Sequence, residues 1–361
     1  MLSANDCRSP MRMNGILNPE EIEKKTLLIL KVLSESSEPV GSRIIARRMR
    51  DLGVAVSERS VRYYLKFMDL QGLTKLVDRH DGRMITDHGM TELSHARVKD
   101  KVGLSISRIE SLAYRTTFDP AKRAGLIPIN VSFMRVSDFP KALKLMGEVF
   151  SSGLAVSSLL AVAGEGERLG EVSVPPGMMG VATVCSIVVN GVLLKQGIPM
   201  DSKFGGILQM RRGVPLRFTE LIHYSGSSLD PSEVFIRGNM TTVGEAVSKG
   251  EGTVLANFRE IPAVCRLAAD EVISRLREIG FDGVLKIGKP GESVCEVPVD
   301  LNKVGVVLAG GLNPVARVRE AGIEVENRAM STVMEYGELR PFEDFRQEYK
   351  KTKSKEVVQC Q

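Results

Sequence analysis

Near its N-terminus the chain carries three amphipathic stretches in which apolar residues recur with the period of an α-helix. Asn18-Pro19, Ser42 and Ser57 mark the beginnings of these stretches, because residues of these types satisfy or tolerate the free backbone amides of a helix start. In the third stretch the apolar residues recur at i, i+3, i+4 and i+7 and share one face: Val61, Tyr64, Leu65 and Met68. The pattern therefore predicts three consecutive helices.

Two short β-prone segments follow the third helix, and Asp81-Gly82 between them favours a tight hairpin turn. Three helices followed by a hairpin are typical of a small winged helix-turn-helix domain, which we assign to residues 19–90 after a disordered tail over 1–18. Between positions 46 and 66 there are six basic and two acidic residues, so the modest net charge of +5 is concentrated here. This concentration favours double-stranded DNA as the partner.

The outer face of the third helix, together with the wing, is the predicted DNA-reading surface. Residues near the N-terminus of a recognition helix lie closest to the base edges in the major groove. Two alternatives stay open, namely a solvated face on a protein-binding winged helix and RNA binding by the same module. The predicted DNA-binding residues are Ser57, Arg59, Ser60, Arg62, Tyr63, Lys66, Arg79 and Arg83.

The larger part of the chain alternates strand-like and helix-like segments and contains an internal repeat. Residues 166–198 align without a gap to residues 291–323, which lie 125 positions later, with 9 identities in 33 positions. Each copy reads as a strand, a short turn and a helix that ends at a glycine. We therefore expect an α/β domain with internal duplication over residues 118–345, with repeats at about 124–199 and 249–325.

The segments that flank this α/β domain are predicted from their polarity. Residues 91–117 are charged and weakly amphipathic, which predicts a connecting helix that spaces the domains and contributes to dimer contacts. Residues 346–361 are polar and are expected to be disordered. The five cysteines form no C-x-x-C pair, the four histidines share no metal-site spacing, and no apolar run could span a bilayer. We expect a cytoplasmic protein without a metal or a membrane partner.

The two strand-to-helix turns of the repeats are candidate anion sites. Backbone amides at a helix start are unsatisfied and lie at the positive end of the helix dipole. Further along the chain, Arg217 is the residue type that binds a carboxylate through two parallel hydrogen bonds. The predicted ligand-binding residues are Cys185, Ser186, Asn190, Arg217, Tyr224, Ser225, Gly310 and Gly311.

Simpler interpretations of these residues stay open. The glycine pair could be only a tight turn, Cys185 a small buried apolar residue, Arg217 a structural ion-pair partner and Ser225 part of a helix cap. A different function class also stays open, in which Cys185 is the nucleophile of a metabolite-converting enzyme tethered to a nucleic-acid-binding winged helix, with His223 as the base. No paired-carboxylate, phosphate-loop or dinucleotide-binding signature accompanies it, so we predict no enzyme.

Five longer segments occur in an order typical of one protein family: TVCSIVVNGVLLKQGIP at 183–199, FGGILQ at 204–209, GVPLRFTELIHYSGSSLDP at 213–231, LANFREIP at 255–262 and GGLNPVA at 310–316. Together they resemble the regulatory domain of the NrpR-type nitrogen-regulation repressors, known chiefly from archaea. The resemblance covers roughly residues 22–340 and includes the winged helix ahead of the regulatory domain.

The resemblance implies a homodimer that binds palindromic operators of nitrogen-assimilation genes and releases them when 2-oxoglutarate accumulates. The effector that the resemblance implies is thus 2-oxoglutarate, and the resemblance implies no cofactor. 2-Oxoglutarate is a small dicarboxylate with two anionic ends, which fits two anion sites in a duplicated fold. Many members of the family carry two regulatory domains in tandem, whereas this chain has one.

Overall fold

The chain divides into a smaller N-terminal unit and a larger C-terminal unit. The computed structural model describes residues 19–36, 38–78, 82–95 and 104–359. The predicted tail at 1–18 and the predicted DNA-binding residue Arg79 lie outside these ranges. Within them, no helix has both the length and the apolar character needed to cross a membrane.

The N-terminal unit has the helix and strand order of a winged helix-turn-helix domain, as predicted. Ser57 caps the third helix, since its Oγ accepts a hydrogen bond from the Ser60 amide at 3.1 Å. The elements are α1 (Pro19–Ser34), α2 (Ser42–Asp51), α3 (Glu58–Leu70), β1 (Thr74–Asp78), β2 (Gly82–Ile85) and α4 (Asp87–His95). The strands β1 and β2 pair antiparallel and form the wing.

The C-terminal unit begins with α5 (Leu104–Arg115) and continues with the first repeat. This repeat comprises β3 (Leu126–Arg135), α6 (Phe139–Phe150), β4 (Leu159–Ala163), the short hairpin of β5 (Arg168–Leu169) and β6 (Val172–Ser173), β7 (Met178–Val184), α7 (Ile187–Lys195) and β8 (Asp201–Arg211). The elements that link it to the second repeat are β9 (Val214–His223), α8 (Pro231–Arg237) and α9 (Val243–Lys249).

The second repeat has the same order of elements, except that no hairpin corresponding to β5 and β6 stands between β11 and β12. It comprises β10 (Gly252–Pro262), α10 (Arg266–Glu278), β11 (Val284–Ile287), β12 (Lys303–Ala309), α11 (Asn313–Glu320) and β13 (Glu326–Glu335). The described chain ends with β14 (Arg340–Pro341) and α12 (Phe342–Gln359). The order of elements confirms the predicted internal duplication.

The two repeats exchange their last strands. The sheet orders are β13-β3-β7-β4-β14 and β11-β12-β10-β8-β9, and all neighbouring strands are antiparallel. The strand β8 ends the first repeat but pairs with β10, whereas β13 ends the second repeat but pairs with β3. Each sheet is therefore a β-α-β-β-α-β unit whose last strand comes from the other repeat. The helices also pair across repeats, α6 with α11 and α7 with α10.

The structure differs from the predictions for the two flanking segments in the following ways. Within the predicted connecting helix at 91–117, residues 104–115 form α5, which packs against α7 and buries Ile109, Leu112 and Ala113. The segment is therefore part of the core and not only a spacer. The tail predicted to be disordered at 346–361 is helical as far as Gln359. Phe342, at the start of α12, is buried and occupies space left by Gly147, where a Cβ would lie 2.7 Å from the phenyl ring.

The edge strand β13 bulges midway along its pairing with β3. Met330 lies in the bulge with a φ of 50°, a left-handed conformation that is unfavourable for a residue with a side chain. Side chains from three elements hold the backbone here. The Ala329 amide donates to Glu233 at 2.7 Å, the Met330 amide donates to Asn130 at 3.0 Å, and Arg108 donates to the Met330 carbonyl at 2.6 Å. The bulge is therefore tied to α8, β3 and α5.

Glu233 makes this arrangement sensitive to pH. Burial, and secondly the neighbouring Asp230 carboxylate, raise the pKa of the Glu233 carboxyl to about 7. The hydrogen bond from the Ala329 amide and the charges of Arg237 and Arg108 act in the opposite direction. The unfolded chain has a pKa near 4.5 at this position, so the folded chain holds the proton more tightly. The stabilisation from protonation is complete below about pH 4.5 and is lost as the pH rises through about 7.

The substitution Glu233→Gln should remove this pH dependence, because glutamine keeps the acceptor for the Ala329 amide but does not ionise. Between pH 5 and pH 8 the free energy of unfolding of the wild type should fall relative to that of the variant, by up to about 3 kcal/mol. Urea unfolding at the two pH values measures the difference. Glu245→Gln, which changes an exposed carboxylate on α9, should retain the wild-type profile. Parallel pH profiles for the wild type and Glu233→Gln would contradict the assignment.

Candidate functional site

The strand-to-helix turns of the two repeats meet at one small cavity in the C-terminal unit. Ser186 and Gly311 hold equivalent positions in the repeats, and both line this cavity. The Gly311 carbonyl accepts a hydrogen bond from the Thr183 hydroxyl at 2.9 Å, and a Cβ on Gly311 would lie 2.6 Å from the Val184 carbonyl oxygen. Only glycine permits this approach of one turn to the other.

The charge at the cavity comes from Arg259 on β10, a residue that the sequence analysis did not select. Its side chain is only 1% exposed. One terminal nitrogen donates to Asn190 Oδ1 and, at 2.7 Å, to Ser202 Oγ, and the other donates to Ser186 Oγ at 3.2 Å. Among the described residues, Arg259 Nε has no hydrogen-bond partner, and no carboxylate neutralises the guanidinium.

This burial is electrostatically unfavourable and points to an anion site. Loss of hydration lowers the pKa of the Arg259 guanidinium, but arginine remains protonated in proteins. A buried cation without a counter-ion favours any anion that can reach it. The equivalent residue of the first repeat is the buried Met134, so the charge belongs to the second repeat alone. Asn257 and Arg259 are alternate residues of the buried strand β10, and two polar residues on one face of a buried strand are the signal that the sequence contains.

Tyr224 and Asn257 extend the polar network along the cavity. The Tyr224 hydroxyl donates to Asn257 Oδ1, and Asn257 Nδ2 donates to Ser186 Oγ at 3.1 Å. Burial raises the pKa of Tyr224, so its hydroxyl keeps its proton. Because Ser186 Oγ accepts hydrogen bonds from both Asn257 and Arg259, its own hydroxyl proton is available for a ligand.

The rest of the cavity lining includes the apolar side chains of Ile109 on α5, Leu312 and Met330. It also includes Asp230, whose carboxyl accepts hydrogen bonds from the Ser232 and Glu233 amides at 2.8 and 3.2 Å and whose pKa is raised by burial. The cavity has a volume of about 20 Å³, which is room for one or two water molecules. A ligand with the size of a dicarboxylate therefore needs part of the wall to move outward. Met330 of the β13 bulge and Ile109 of α5 are apolar lining residues from outside the two turns.

The structure brings most of the predicted ligand-binding residues together. The residues that line the cavity are Cys185, Ser186, Tyr224 and Gly311. Asn190 does not line it but accepts a hydrogen bond from Arg259. Gly310 lies one residue from the cavity, where its amide donates to the Leu255 carbonyl at 2.8 Å.

Two predicted residues lie elsewhere, and their assignment to this cavity is wrong. Arg217 is exposed on the edge strand β9, where its Nε donates to Gln209 Oε1 at 3.0 Å. Successive side chains of a strand lie on opposite faces of the sheet. Because Phe218 packs inward against Phe258, the side chain of Arg217 faces solvent. Ser225 is also exposed, in the turn after β9.

The environment of Cys185 contradicts the enzyme alternative. Burial raises the pKa of the Cys185 thiol to about 11, whereas a cysteine nucleophile needs a lowered pKa. His223, the proposed base, is exposed on β9 and is not among the residues that line the cavity. Cys185 is therefore a buried wall residue.

The outer face of α3 is exposed, as predicted for a DNA-reading surface. Val61, Tyr64, Leu65 and Met68 are buried on the inner face. Arg83 was assigned to DNA but forms an ion pair with Asp69 of α3 at 2.8 Å, so it fastens the wing to the helix. The predicted residues that remain exposed are Ser57, Arg59, Ser60, Arg62, Tyr63 and Lys66.

Comparison with known families gives two matches that agree with this division of the chain. Residues 102–341 match the model of the NrpR regulatory domains NRD1 and 2. Residues 27–93 match the model of the ribonuclease R winged-helix domain. A crystal structure of a nitrogen repressor-like protein from Methanococcus jannaschii is similar to 66% of this chain and to 98% of its own chain, with a TM-score of 0.57 and 28% identity.

Curated relatives carry the same family name. The global nitrogen regulator NrpRI of Methanosarcina mazei is 36% identical over 320 residues, which cover 89% of this chain and 98% of that protein. The global nitrogen regulator NrpR of Methanocaldococcus jannaschii is 34% identical over 87% of this chain, and the match spans 54% of that longer protein. The chain therefore belongs to the NrpR family, with a winged helix ahead of its regulatory domain.

Proposed function

We propose that the chain is a DNA-binding transcription regulator that represses nitrogen-assimilation genes and releases its operator when 2-oxoglutarate binds. The observation that carries the proposal is Arg259, a buried cation without a counter-ion in the regulatory domain. The relatives named as global nitrogen regulators support the biological role. The winged helix supports DNA as the partner.

2-Oxoglutarate fits the chemistry of the cavity. One carboxylate would accept hydrogen bonds from Arg259 Nε and the Ser186 hydroxyl. The second carboxylate would face the turn at Gly311 and Leu312, where α11 begins and backbone amides favour an anion. Entry would displace α5 or the bulge of β13, both of which border the cavity. Because α5 is the first element of the regulatory domain after the winged helix in the sequence, its displacement gives the ligand a route to the DNA-binding domain.

A homodimer is part of the proposal. A single winged helix reads too few base pairs to select one operator in a genome, and a palindromic operator requires two-fold protein symmetry. Light scattering on the full chain should give a mass of twice the 39.5 kDa of one chain. A monomer at the concentrations that saturate operator DNA would contradict this part of the proposal.

The substitution Arg259→Met should weaken the response to 2-oxoglutarate and leave operator binding intact. Methionine keeps an unbranched apolar stem but removes the charge-assisted hydrogen bonds, whose loss costs about 1.5–3 kcal/mol. The effector concentration that releases half of the DNA should therefore rise by about tenfold to over a hundredfold. Fluorescence anisotropy of a labelled operator duplex, titrated with 2-oxoglutarate, measures this midpoint.

Arg217→Met is the matched control, because it removes an exposed arginine from the same domain. It should keep the wild-type midpoint. Thermal unfolding without effector should show that Arg259→Met is folded and at least as stable as the wild type, because it no longer buries an unpaired charge. An unchanged effector midpoint in Arg259→Met would show that the arginine does not bind the ligand.

On α3, Arg59 and Lys66 should contribute differently to DNA binding. Arg59 lies in the first turn, where recognition helices contact base edges, so Arg59→Ala should reduce discrimination between operator and mutated operator by about 1–3 kcal/mol. Lys66 lies two turns later and is placed for phosphate. Lys66→Ala should weaken binding to all duplexes alike and reduce the salt slope by about one unit. Equal loss of specificity in both variants, measured by salt-dependent titrations, would refute the assignment.

A further inference from the structure

The outer face of α3 has two distinct flanks. At 100° per residue, Arg59, Arg62 and Lys66 form one stripe along the helix. A second stripe beside it is apolar and strongly exposed. Its members, at i, i+4 and i+7, are Tyr63 (58% exposed), Phe67 (46%) and Leu70 (86%).

The apolar stripe is not part of the core of the N-terminal unit. The core-facing residues of α3 lie on the opposite side of the helix, where Tyr64 and Leu65 are buried. Single exposed apolar residues are common on protein surfaces, but three large ones on adjacent turns form a patch that calls for a partner. The edge-to-face contact of the Tyr63 and Tyr64 rings, with centroids 6.5 Å apart, orients the first member of the stripe.

The charges on α3 identify nucleic acid as the partner of this stripe. Both acids of the helix are engaged within the N-terminal unit. Asp69 accepts from Thr74 Oγ1 at 2.6 Å and from Arg83 at 2.8 Å. Glu58 accepts from Ser42 Oγ at 3.2 Å and lies 3.6 Å from the guanidinium of Arg62. Glu58 therefore offsets the charge of Arg62 in part, whereas no acid of this helix pairs with Arg59 or Lys66, and the stripe keeps a positive charge that complements phosphate.

We propose that Tyr63 and Phe67 contact thymine 5-methyl groups in the major groove, so that the apolar stripe of α3 selects thymine while the cationic stripe contacts phosphates and guanine. The 5-methyl group of thymine is the apolar group on the major-groove edges of the bases, and apolar side chains recognise it. This inference rests on the proposed DNA binding. It adds the class of base that the apolar stripe reads.

Replacement of thymine by deoxyuridine tests the proposal, because it removes the methyl group and leaves base pairing unchanged. The full chain first selects duplexes from a random-sequence library, and each thymine of the selected duplex is then replaced in turn. Wild-type affinity should fall by about fourfold for each contacted methyl group, the factor that corresponds to one buried methyl-sized group. In Phe67→Ala, replacing thymine by deoxyuridine at one or more of these positions should cause almost no loss of affinity, because the side chain that contacts the methyl group is absent.

Met90→Ala is the matched control, since Met90 has nearly the same exposed fraction, 45%, but lies on α4. It should keep every wild-type penalty. If Phe67→Ala does not fold by circular dichroism, Tyr63→Ala, which changes a more exposed side chain, replaces it in the same test.

Three results would overturn the proposal. The first is a wild-type affinity that does not change when deoxyuridine replaces thymine at any position. The second is a folded Phe67→Ala variant that loses as much affinity as the wild type at every replaced position. The third is a wild-type affinity that does not depend on the thymine methyl groups, together with self-association that is weaker in Phe67→Ala than in the wild type when measured by sedimentation. This result would identify the stripe as a protein interface. Failure to enrich any duplex would instead refute the proposed DNA binding itself, and with it the reading of thymine.

Discussion

The buried guanidinium of Arg259 is the constraint on which the regulatory domain depends. Neutral groups meet part of its hydrogen-bonding capacity, but its Nε faces no acceptor among the described residues. Removing one ion from water without a counter-ion costs several kcal/mol even after relaxation. The first repeat avoids this cost by placing Met134 at the equivalent position. The second repeat thus carries a cation at a position where the same fold accommodates an apolar residue, and a buried cation of this kind attracts any anion that can reach it.

The exchange of strands between the repeats builds the surroundings of this cation. Arg259 belongs to the second repeat, but its side-chain partners all come from the first. Ser186 and Asn190 lie at the start and middle of the first-repeat helix α7, and Ser202 lies on β8, directly opposite Arg259 in the exchanged pairing. Without the exchange, β8 would not border β10. The duplicated fold therefore produces a single asymmetric site from two similar halves.

Local features of the fold could be predicted from the sequence because they depend on neighbouring residues. The cap at Ser57, the inner face of α3 and the turn at Gly311 are set by spacings of a few positions, and the structure confirms them. Arg259 was missed because its partners lie 57 to 73 positions away and are united only by the exchange of strands. Arg217 was wrongly chosen because nothing in its sequence neighbourhood shows that β9 is an edge strand with this residue on its outer face.

The same reasoning explains why residues 346–361 were predicted to be a disordered tail. Their composition is polar, but as far as Gln359 they continue the helix α12, in which Phe342, Phe345 and Tyr349 recur at i, i+3 and i+7 and pack near Phe139 and Phe150 of α6. The polar composition of the segment therefore gave no indication that its aromatic side chains pack against α6, a helix of the first repeat.

The most direct test of the central claim is a crystal structure of the full chain grown with 2-oxoglutarate. We expect electron density for the ligand in the cavity between the two turns, with one carboxylate within hydrogen-bond distance of Arg259 Nε and the other near Gly311. We also expect α5 or the bulge at Met330 to lie further out than in the present structure. Ligand density at another place, with Arg259 still enclosed by Ser186, Asn190 and Ser202, would refute the proposed binding site.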